Sequence, residues 1–369
     1  MAVDSVLRLK QQKAELISKY SKSCNIKAWV QMLNTIVPYL LLWYFAAISL
    51  QISYWLTALC IFFMVLFLLR MFVLMHESGH NSLFRNSRLN KVSGIIFGVF
   101  SGMPQYVWSQ RHNFHHSTNG NWSKYRGPLG TLSTDEFSEL STQKQKSYVR
   151  ARKLMNAPLA GFMYLIFNPR FTWVKGSLLL IRHLVLGKLQ RPSASLKTIA
   201  AEFKSTYWSS AKEYRCMTFN NLMLISIWLW MSFLLGPLAF FIIYIISLSL
   251  AGASAIILFA AQHNFEHAYA SDDEGWDYYQ AALHGTSYLK LPKILNWFTA
   301  NIGYHHVHHL SVRIPNYLLQ ECHQEYRHLF VEVPRINLSK IMSTFDYILW
   351  DIKARRIISV KEFYERSSA

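Results

Sequence analysis

The sequence predicts an all-α integral membrane protein, in which four transmembrane helices form two hairpins and a helical cytoplasmic cap domain carries a metal site. Hydrophobic residues make up 52% of the 369 residues and charged residues only 16%, against roughly 25% charged residues in soluble domains. Residues 28–69 and 216–262 contain no Asp, Glu, Lys or Arg. Most of the 15 histidines lie in short groups outside these two apolar blocks.

Each apolar block is long enough for two helices of about 20 residues, the length that crosses a bilayer. Polar residues around Gln51 divide the first block, and Gly236 with Pro237 divides the second. We expect no ionisable side chain inside the four spans. The predicted spans lie near residues 30–48, 54–74, 219–235 and 238–260.

The lysines and arginines predict the orientation of the hairpins. They precede the first block, lie between the blocks or follow the second, and both outer turns are uncharged. Because positively charged segments stay on the cytoplasmic side, both termini and the metal site are expected in the cytoplasm. The expected cytoplasmic segments are residues 1–29, 76–215 and 263–369, and the transmembrane hairpins are 30–75 and 216–262.

The first 23 residues predict an amphipathic helix rather than a signal peptide, because they contain an early acid and no continuous apolar core. One interpretation lays its apolar face on the membrane, with basic residues at anionic headgroups. The other is a solvated helix that leads into the first span. The apolar positions are Val6, Leu7, Leu9, Leu16 and Ile17.

Between the hairpins, three apolar stretches are too short to span a bilayer and predict interfacial or re-entrant helices. These stretches are residues 92–103, 158–167 and 176–186. A further helix is predicted to begin at Ser133 or Thr134, since acidic residues follow directly. The four cysteines of the chain form no pairwise motif and are expected to be free thiols.

The histidines form four groups: HESGH, HNFHH, QHNFEH and HHVHH. The pairs His76/His80, His112/His116 and His305/His309 are each separated by four residues, so each pair shares one face of a helix. Imidazole is a common ligand of Zn, Fe, Cu and Ni. Eight or nine such ligands exceed the four to six that one ion takes, which indicates two neighbouring metals.

Other interpretations of the histidines are weaker. Carboxylates are scarce in the groups, Glu77 and Glu266 excepted, which argues against Mg and Ca. Storage or transport of metal is also weaker, because transport would favour ionisable residues within the spans. The isolated His183, His323 and His328 are expected to be ordinary surface or hydrogen-bonded residues.

With these motifs the chain resembles the membrane fatty acid desaturase and hydroxylase superfamily, which has three histidine boxes around a di-iron centre that activates O2. HESGH, HNFHH and HHVHH match the boxes in order and type. GPLGTLSTDEFSELS, LKLPKILNWFTANIGYHHVHHLSVRIPNY and QHNFE resemble bacterial acyl-lipid desaturases, which implies a bacterial inner membrane. The resemblance runs from about residue 40 to 325. It implies the metal ligands His76, His80, His112, His115, His116, His263, His305, His308 and His309.

The same resemblance implies that His306 is not a ligand. It also marks two departures, because relatives commonly have an acid where this chain has His267, and another near His284. Acids there would hold ligand imidazoles by hydrogen bonds. Three interpretations remain open: a retuned site, an extra ligand, or sequence drift.

The implied reaction removes two hydrogens from adjacent methylenes of a fatty acyl chain and inserts a double bond. It needs O2 and two electrons from a separate ferredoxin- or cytochrome-type donor, since no fused redox module is recognisable. Exposed cations on the cytoplasmic side would steer an acidic donor or bind anionic lipid; no nucleic-acid partner is expected. These cations include Lys144, Lys146, Arg150, Arg152 and Lys153.

Large side chains on the second and fourth spans are candidates to line an acyl tunnel, with plain helix or lipid contacts as the alternative. They are Phe62, Phe63, Met64 and Phe259. Two other functions compete with desaturation. The first is a hydroxylase, ketolase, epoxygenase or acetylenase of the same superfamily, and the second is a membrane metal-handling protein that is not an enzyme.

Overall fold

The computed structural model describes residues 2–127 and 130–367. The described chain is mostly helical, with one three-stranded and one two-stranded sheet. The helices are α1 (Ala2–Tyr20), α2 (Asn25–Ser49), α3 (Tyr54–Gly79), α4 (Ser87–Phe100), α5 (Gln105–Thr118), α6 (Thr134–Ser138), α7 (Thr142–Ala151), α8 (Ala157–Phe162), α9 (Asn168–Gln190), α10 (Leu196–Ala201), α11 (Ala211–Leu235), α12 (Pro237–His263), α13 (Tyr278–His284), α14 (Lys293–Phe298), α15 (His305–Leu310), α16 (Asn316–Glu325) and α17 (Val360–Ser367). The strands are β1 (Leu132–Ser133), β2 (Tyr288–Lys290), β3 (Arg335–Asn337), β4 (Tyr347–Asp351) and β5 (Arg356–Ser359).

Two pairs of long helices form the predicted hairpins: α2 packs along α3, and α11 packs along α12. Among the described residues, these four helices are long and apolar enough to cross a membrane. Both α3 and α12 run past their predicted spans, ending at Gly79 and His263. The predicted fold class is confirmed, and the extra turns carry the first histidines.

The hairpin turns use the residues that predicted them. The Oγ of Ser49 and the Oγ1 of Thr57 lie 2.8 Å apart across the α2–α3 turn. Gly236, between α11 and α12, has a φ of +77°, a backbone conformation that glycine adopts without steric cost. Pro237 follows in the first turn of α12, where a missing N–H leaves no hydrogen bond unmade.

The core lies between α2, α3, α4 and α12, and α8 packs against α12. The backbones of α8 and α12 touch at Gly161 and Gly252, and a Cβ at Gly161 would lie 2.3 Å from the carbonyl oxygen of Ser249. The apolar stretch 158–167, expected to be interfacial or re-entrant, thus packs against a span. This contact holds α8 against α12, which packs on α3 as well.

Arg70 contradicts the expectation that the spans contain no ionisable side chain. It lies inside α3 and is only 2% exposed. Its Nε donates a hydrogen bond to Thr35 Oγ1 at 2.9 Å, and its guanidinium stacks over the ring of Trp297 at 4.0 Å. The prediction was wrong because the charge-free block ends at Leu69, while the predicted span 54–74 extends beyond it.

The N-terminal helix α1 is amphipathic as predicted, but both interpretations of its apolar face were wrong. Leu9 and Leu16 are fully buried, in a hydrophobic cluster that includes Leu319 of α16 and Leu329. Lys10 adds an ion pair with Asp277 at 2.9 Å. The C-terminal segment therefore covers this face, because it presents its own apolar surface there.

Short strands join the middle and C-terminal segments, which pack on one another as expected. β1 pairs in parallel with β4, with Leu132 opposite Leu349. The predicted helix start is confirmed, since Ser133 is the N-cap of α6 and forms a capping box with Glu136. The strands were not predicted, because two to five residues are too few to show alternation. The cysteines are free thiols, as predicted.

Candidate metal centre

Four helices bring the predicted ligands to one end of the two hairpins. His76 lies in the last turn of α3, and His263 is the last residue of α12. Helix α5 carries the second histidine group and α15 carries the third. After His80, Asn81 ends α3 with a φ of +57°, the left-handed conformation common at helix C-termini.

The first of two clusters is the five-histidine group of His76, His80, His112, His116 and His308. One ring nitrogen from each residue lies within 4.8 Å of the others. Their Nε2 atoms are 3.2 Å apart in His76 and His80, and 2.9 Å apart in His112 and His116. Both predicted four-residue pairs therefore share a helix face and point to one place.

The second cluster is the four-histidine group of His115, His263, His305 and His309. The Nε2 atoms of His305 and His263 are 2.9 Å apart. His112 and His116 belong to the first cluster, whereas the ring centroid of His115 lies 4.7 Å from that of His263. The two groups adjoin, since the ring centroids of His116 and His309 are 4.2 Å apart.

The spacing of these nitrogens fits transition-metal ions placed between them. With a metal–nitrogen distance of about 2.1 Å, two ligands at a right angle stand about 3.0 Å apart. Both nitrogens of His115 and the Nε2 of His309 are buried without a hydrogen-bond partner among the described residues. Buried polar atoms are normally paired, so the donor set fits two bound metals.

Burial keeps the imidazoles neutral. It lowers the pKa of His80 to about 3 and holds the pKa of His112 and His305 well below the ordinary value of 6.5. Neighbouring imidazoles lower these pKa values further, because two protonated rings would repel one another. A neutral imidazole has a lone pair for a metal at pH 7, so binding requires no deprotonation.

Glu77 lies beside two predicted ligands, a place that the sequence did not predict. Its carboxylate is fully buried, and its Oε1 lies 3.2 Å from His76 Nδ1 and 3.9 Å from His308 Nδ1. The Oε2 accepts hydrogen bonds from the backbone N–H of Asn316 at 2.9 Å and the hydroxyl of Ser82 at 3.0 Å. The available signal was a carboxylate directly after a predicted ligand.

The remaining histidines lie outside both groups. His306 turns away and its Nε2 lies 2.8 Å from Nδ1 of His323. His267 has a side chain that is 66% exposed. His284 lies 3.7 Å from a carboxylate oxygen of Glu332. Neither His267 nor His284 belongs to a metal-holding group of the described residues, which leaves the extra-ligand interpretation without support.

Aromatic side chains wall the site, but only one of the four tunnel candidates is among them. The ring of Phe259 lies 4.7 Å from that of His263. Phe62 and Phe63 point outward from α3, and Met64 is buried between helices, so these three make the helix and lipid contacts of the alternative.

A cleft of about 450 Å³ reaches His80 from the surface. Three cations line it: Lys22, Arg85 and Arg313. Among the described residues that line it, Phe84 is the one large apolar side chain. The cleft therefore offers a polar, positively charged route to one edge of the five-histidine group.

The comparison with known families agrees with this geometry, since the fatty acid desaturase model matches residues 52–338. The chain belongs to the fatty acid desaturase family. The resemblance inferred from the histidine boxes is thereby confirmed. Because this is a family of oxidoreductases, the protein is an enzyme, and the interpretation as a metal-handling protein is set aside.

Two relatives in this desaturase family cover much of the chain. A protein named fatty acid desaturase from Bacillus subtilis (strain 168) is 31% identical over 364 residues, which are 98% of this chain and 94% of the relative. A Delta(8)-fatty-acid desaturase from Euglena gracilis is 23% identical over 247 residues, 67% of this chain and 55% of the relative.

Proposed function

We propose that this desaturase is a di-iron acyl-lipid desaturase that inserts a cis double bond into a fatty acyl chain. One –CH2–CH2– unit, one O2, two electrons and two protons would give –CH=CH– and two waters. The observation that carries the proposal is the pair of adjoining histidine groups in a chain of this family. Nine imidazoles and one nearby carboxylate suit iron better than Mg or Ca.

The proposed ligands divide between two irons. The five-histidine group would hold one iron and the four-histidine group the other. His306 would not bind, because its Nε2 already pairs with His323. When bound, the irons supply the O2 activation needed to remove hydrogen from an unactivated methylene.

The chain itself supplies neutral ligands, exclusion of water and orientation. The ring of Trp108 stacks on that of His112 at 4.3 Å, which fixes the imidazole and shields it from solvent. Phe259 contacts the other group through His263 and lies on the span α12. An acyl chain that rises from the bilayer beside α12 would meet the site at this side chain.

We further propose that both termini and the metal site lie on the cytoplasmic side of a bacterial inner membrane. The histidines cluster where α3 and α12 end, and all lysines and arginines except Arg70 lie outside the four apolar helices or in the first two turns of a helix. This distribution follows the positive-inside rule.

The electrons would come from a separate, acidic ferredoxin- or cytochrome-type protein. The cleft with Lys22, Arg85 and Arg313 supports this partner, because its cations surround the approach to His80. Its polar lining suits a protein surface better than an acyl chain. The α7 cations Lys144 and Lys146 remain available to anionic lipid.

Expression in a host without such an enzyme, followed by mass spectrometry of total acyl chains, tests the function. New double bonds that are absent with His112→Ala are expected, and their position follows from the same spectra. Hydroxylated chains would instead identify a hydroxylase of the superfamily. Unchanged lipids despite good expression and a supplied electron donor would contradict the proposal.

A further inference from the structure

A continuous buried hydrogen-bond network connects Arg70, inside a span, to Glu77, whose carboxylate lies beside the five-histidine group. Its members are Arg70, Gln31, Asn316 and Glu77, each no more than 9% exposed. We infer that Glu77 is a positioning residue for the metal of the five-histidine group alone, and that the other three hold its carboxylate in place. This inference rests on the proposed function.

At one end of the network, two buried polar atoms of neighbouring residues lie close together. Neither His76 Nδ1 nor Glu77 Oε1 has a hydrogen-bond partner among the described residues, and they lie 3.2 Å apart. The Nε2 of His76 points into the histidine group, which leaves Nδ1 to carry the proton. A carboxylate that accepts this proton fixes the tautomer and makes the ligand nitrogen more basic.

In the middle, two amide side chains pair with each other. The Nδ2 of Asn316 donates to Gln31 Oε1 at 2.7 Å, and Gln31 Nε2 donates to Asn316 Oδ1 at 3.3 Å. The backbone N–H of Asn316 donates to Glu77 Oε2 at 2.9 Å. This pairing ties α2 and the first residue of α16 to α3 beside the site.

At the far end, Arg70 donates to Gln31 Oε1 at 3.3 Å, to Thr35 Oγ1 and to the backbone carbonyl of Trp297. It forms no salt bridge with any carboxylate of the described chain. Arg70 and Glu77 are seven residues apart on α3, two turns or about 10 Å. Between these two residues, the hydrogen bonds run from Arg70 through Gln31 and Asn316 to Glu77.

The four-histidine group lacks such a carboxylate. Within the described chain, no acidic oxygen lies within ion-pair distance of its four rings, whereas Glu77 reaches two rings of the other group. The Nδ1 of His263 instead faces the backbone carbonyl of Gly285 at 3.2 Å. The two metal positions are therefore chemically different, with a carboxylate group beside only one of them.

Iron content and Mössbauer spectra of the purified, 57Fe-loaded full chain test this inference. The wild type should bind two irons in two distinguishable environments. Glu77→Gln keeps the shape of the side chain but replaces its carboxylate with an amide. It should lower the affinity for one iron by roughly 10–100-fold, with loss of one of the two Mössbauer components. Glu266→Gln, the same change at an exposed acid near His263, is the matched control and should keep both irons.

An equal loss of affinity for both irons in Glu77→Gln, or a Mössbauer spectrum with both components unchanged, would overturn the inference. Gln31→Leu provides an independent test, because the side chain of Gln31 forms its hydrogen bonds with Asn316 and Arg70. It should weaken the same iron component as Glu77→Gln, and a wild-type spectrum would overturn the role of the network. A wild type that binds no iron at all would instead refute the proposed di-iron function.

Discussion

The Nε2 atoms of His116 and His308 lie 3.1 Å apart, although 192 positions separate the two residues. Each belongs to a motif that is divided between the two histidine groups. His115 and His309, their neighbours in sequence, lie together in the four-histidine group. Helices α5 and α15 therefore each contribute to both groups, and neither group forms without both helices.

Separate alanine substitutions of His306 and His308, both in α15, should distinguish a metal ligand from a histidine that binds no metal. His308→Ala should abolish desaturation and lower the iron content, because it removes a nitrogen from the five-histidine group. His306→Ala should retain both irons, since its side chain pairs with His323 instead. Iron analysis of the two purified variants makes the comparison. Equal iron loss in both would contradict the ligand assignment.

The histidines at the two departure positions should be dispensable for metal binding. His267→Asp should keep full iron content and thermal stability, because the side chain is exposed and aspartate tolerates the φ of +64° found there. His284→Gln should also keep both irons, since this histidine lies outside both groups. Loss of iron in either variant would restore the extra-ligand interpretation.

Charge reversal should distinguish the cleft at His80 from the basic helix α7. Arg313→Glu should slow reduction by an acidic ferredoxin several-fold at low salt, and the effect should fade as salt screens the charges. Reduction by dithionite should be unchanged. The matched variant Lys144→Glu should leave the ferredoxin rate intact. The opposite ranking of the two variants would place the docking surface on α7.

Two leucines on α1 test what covers its apolar face. Leu9→Asp should destabilise the protein by about 3 kcal/mol or more, because a carboxylate would be buried without a partner. Leu7, which is 53% exposed, should accept the same change with little effect. Thermal unfolding in detergent compares the two variants. If the apolar face of α1 lay on lipid, both substitutions should weaken membrane association equally. Neither substitution should then lower the unfolding temperature in detergent.

Local patterns predicted the hairpins and the faces of the histidine pairs, because both depend on residues within one or two turns. The division of the motifs could not be predicted: whether His115 joins His112 or His263 depends on how α5 lies against α12. The amphipathic pattern likewise predicted an apolar face on α1, but it could not predict which surface covers that face. Glu77 and Arg70 acquire their roles only through Gln31 and Asn316, contributed by distant helices.

The packing of α1 against the C-terminal segment has a consequence for biosynthesis. Lys19 pairs with Glu325, 306 positions later, so the partner of α1 emerges from the ribosome long after α1 itself. Until then the apolar side of α1 has no native surface to cover it. We expect assembly of the cap to be a late event, and carboxy-terminal truncations before α16 to leave a nascent chain that chaperones and proteases recognise.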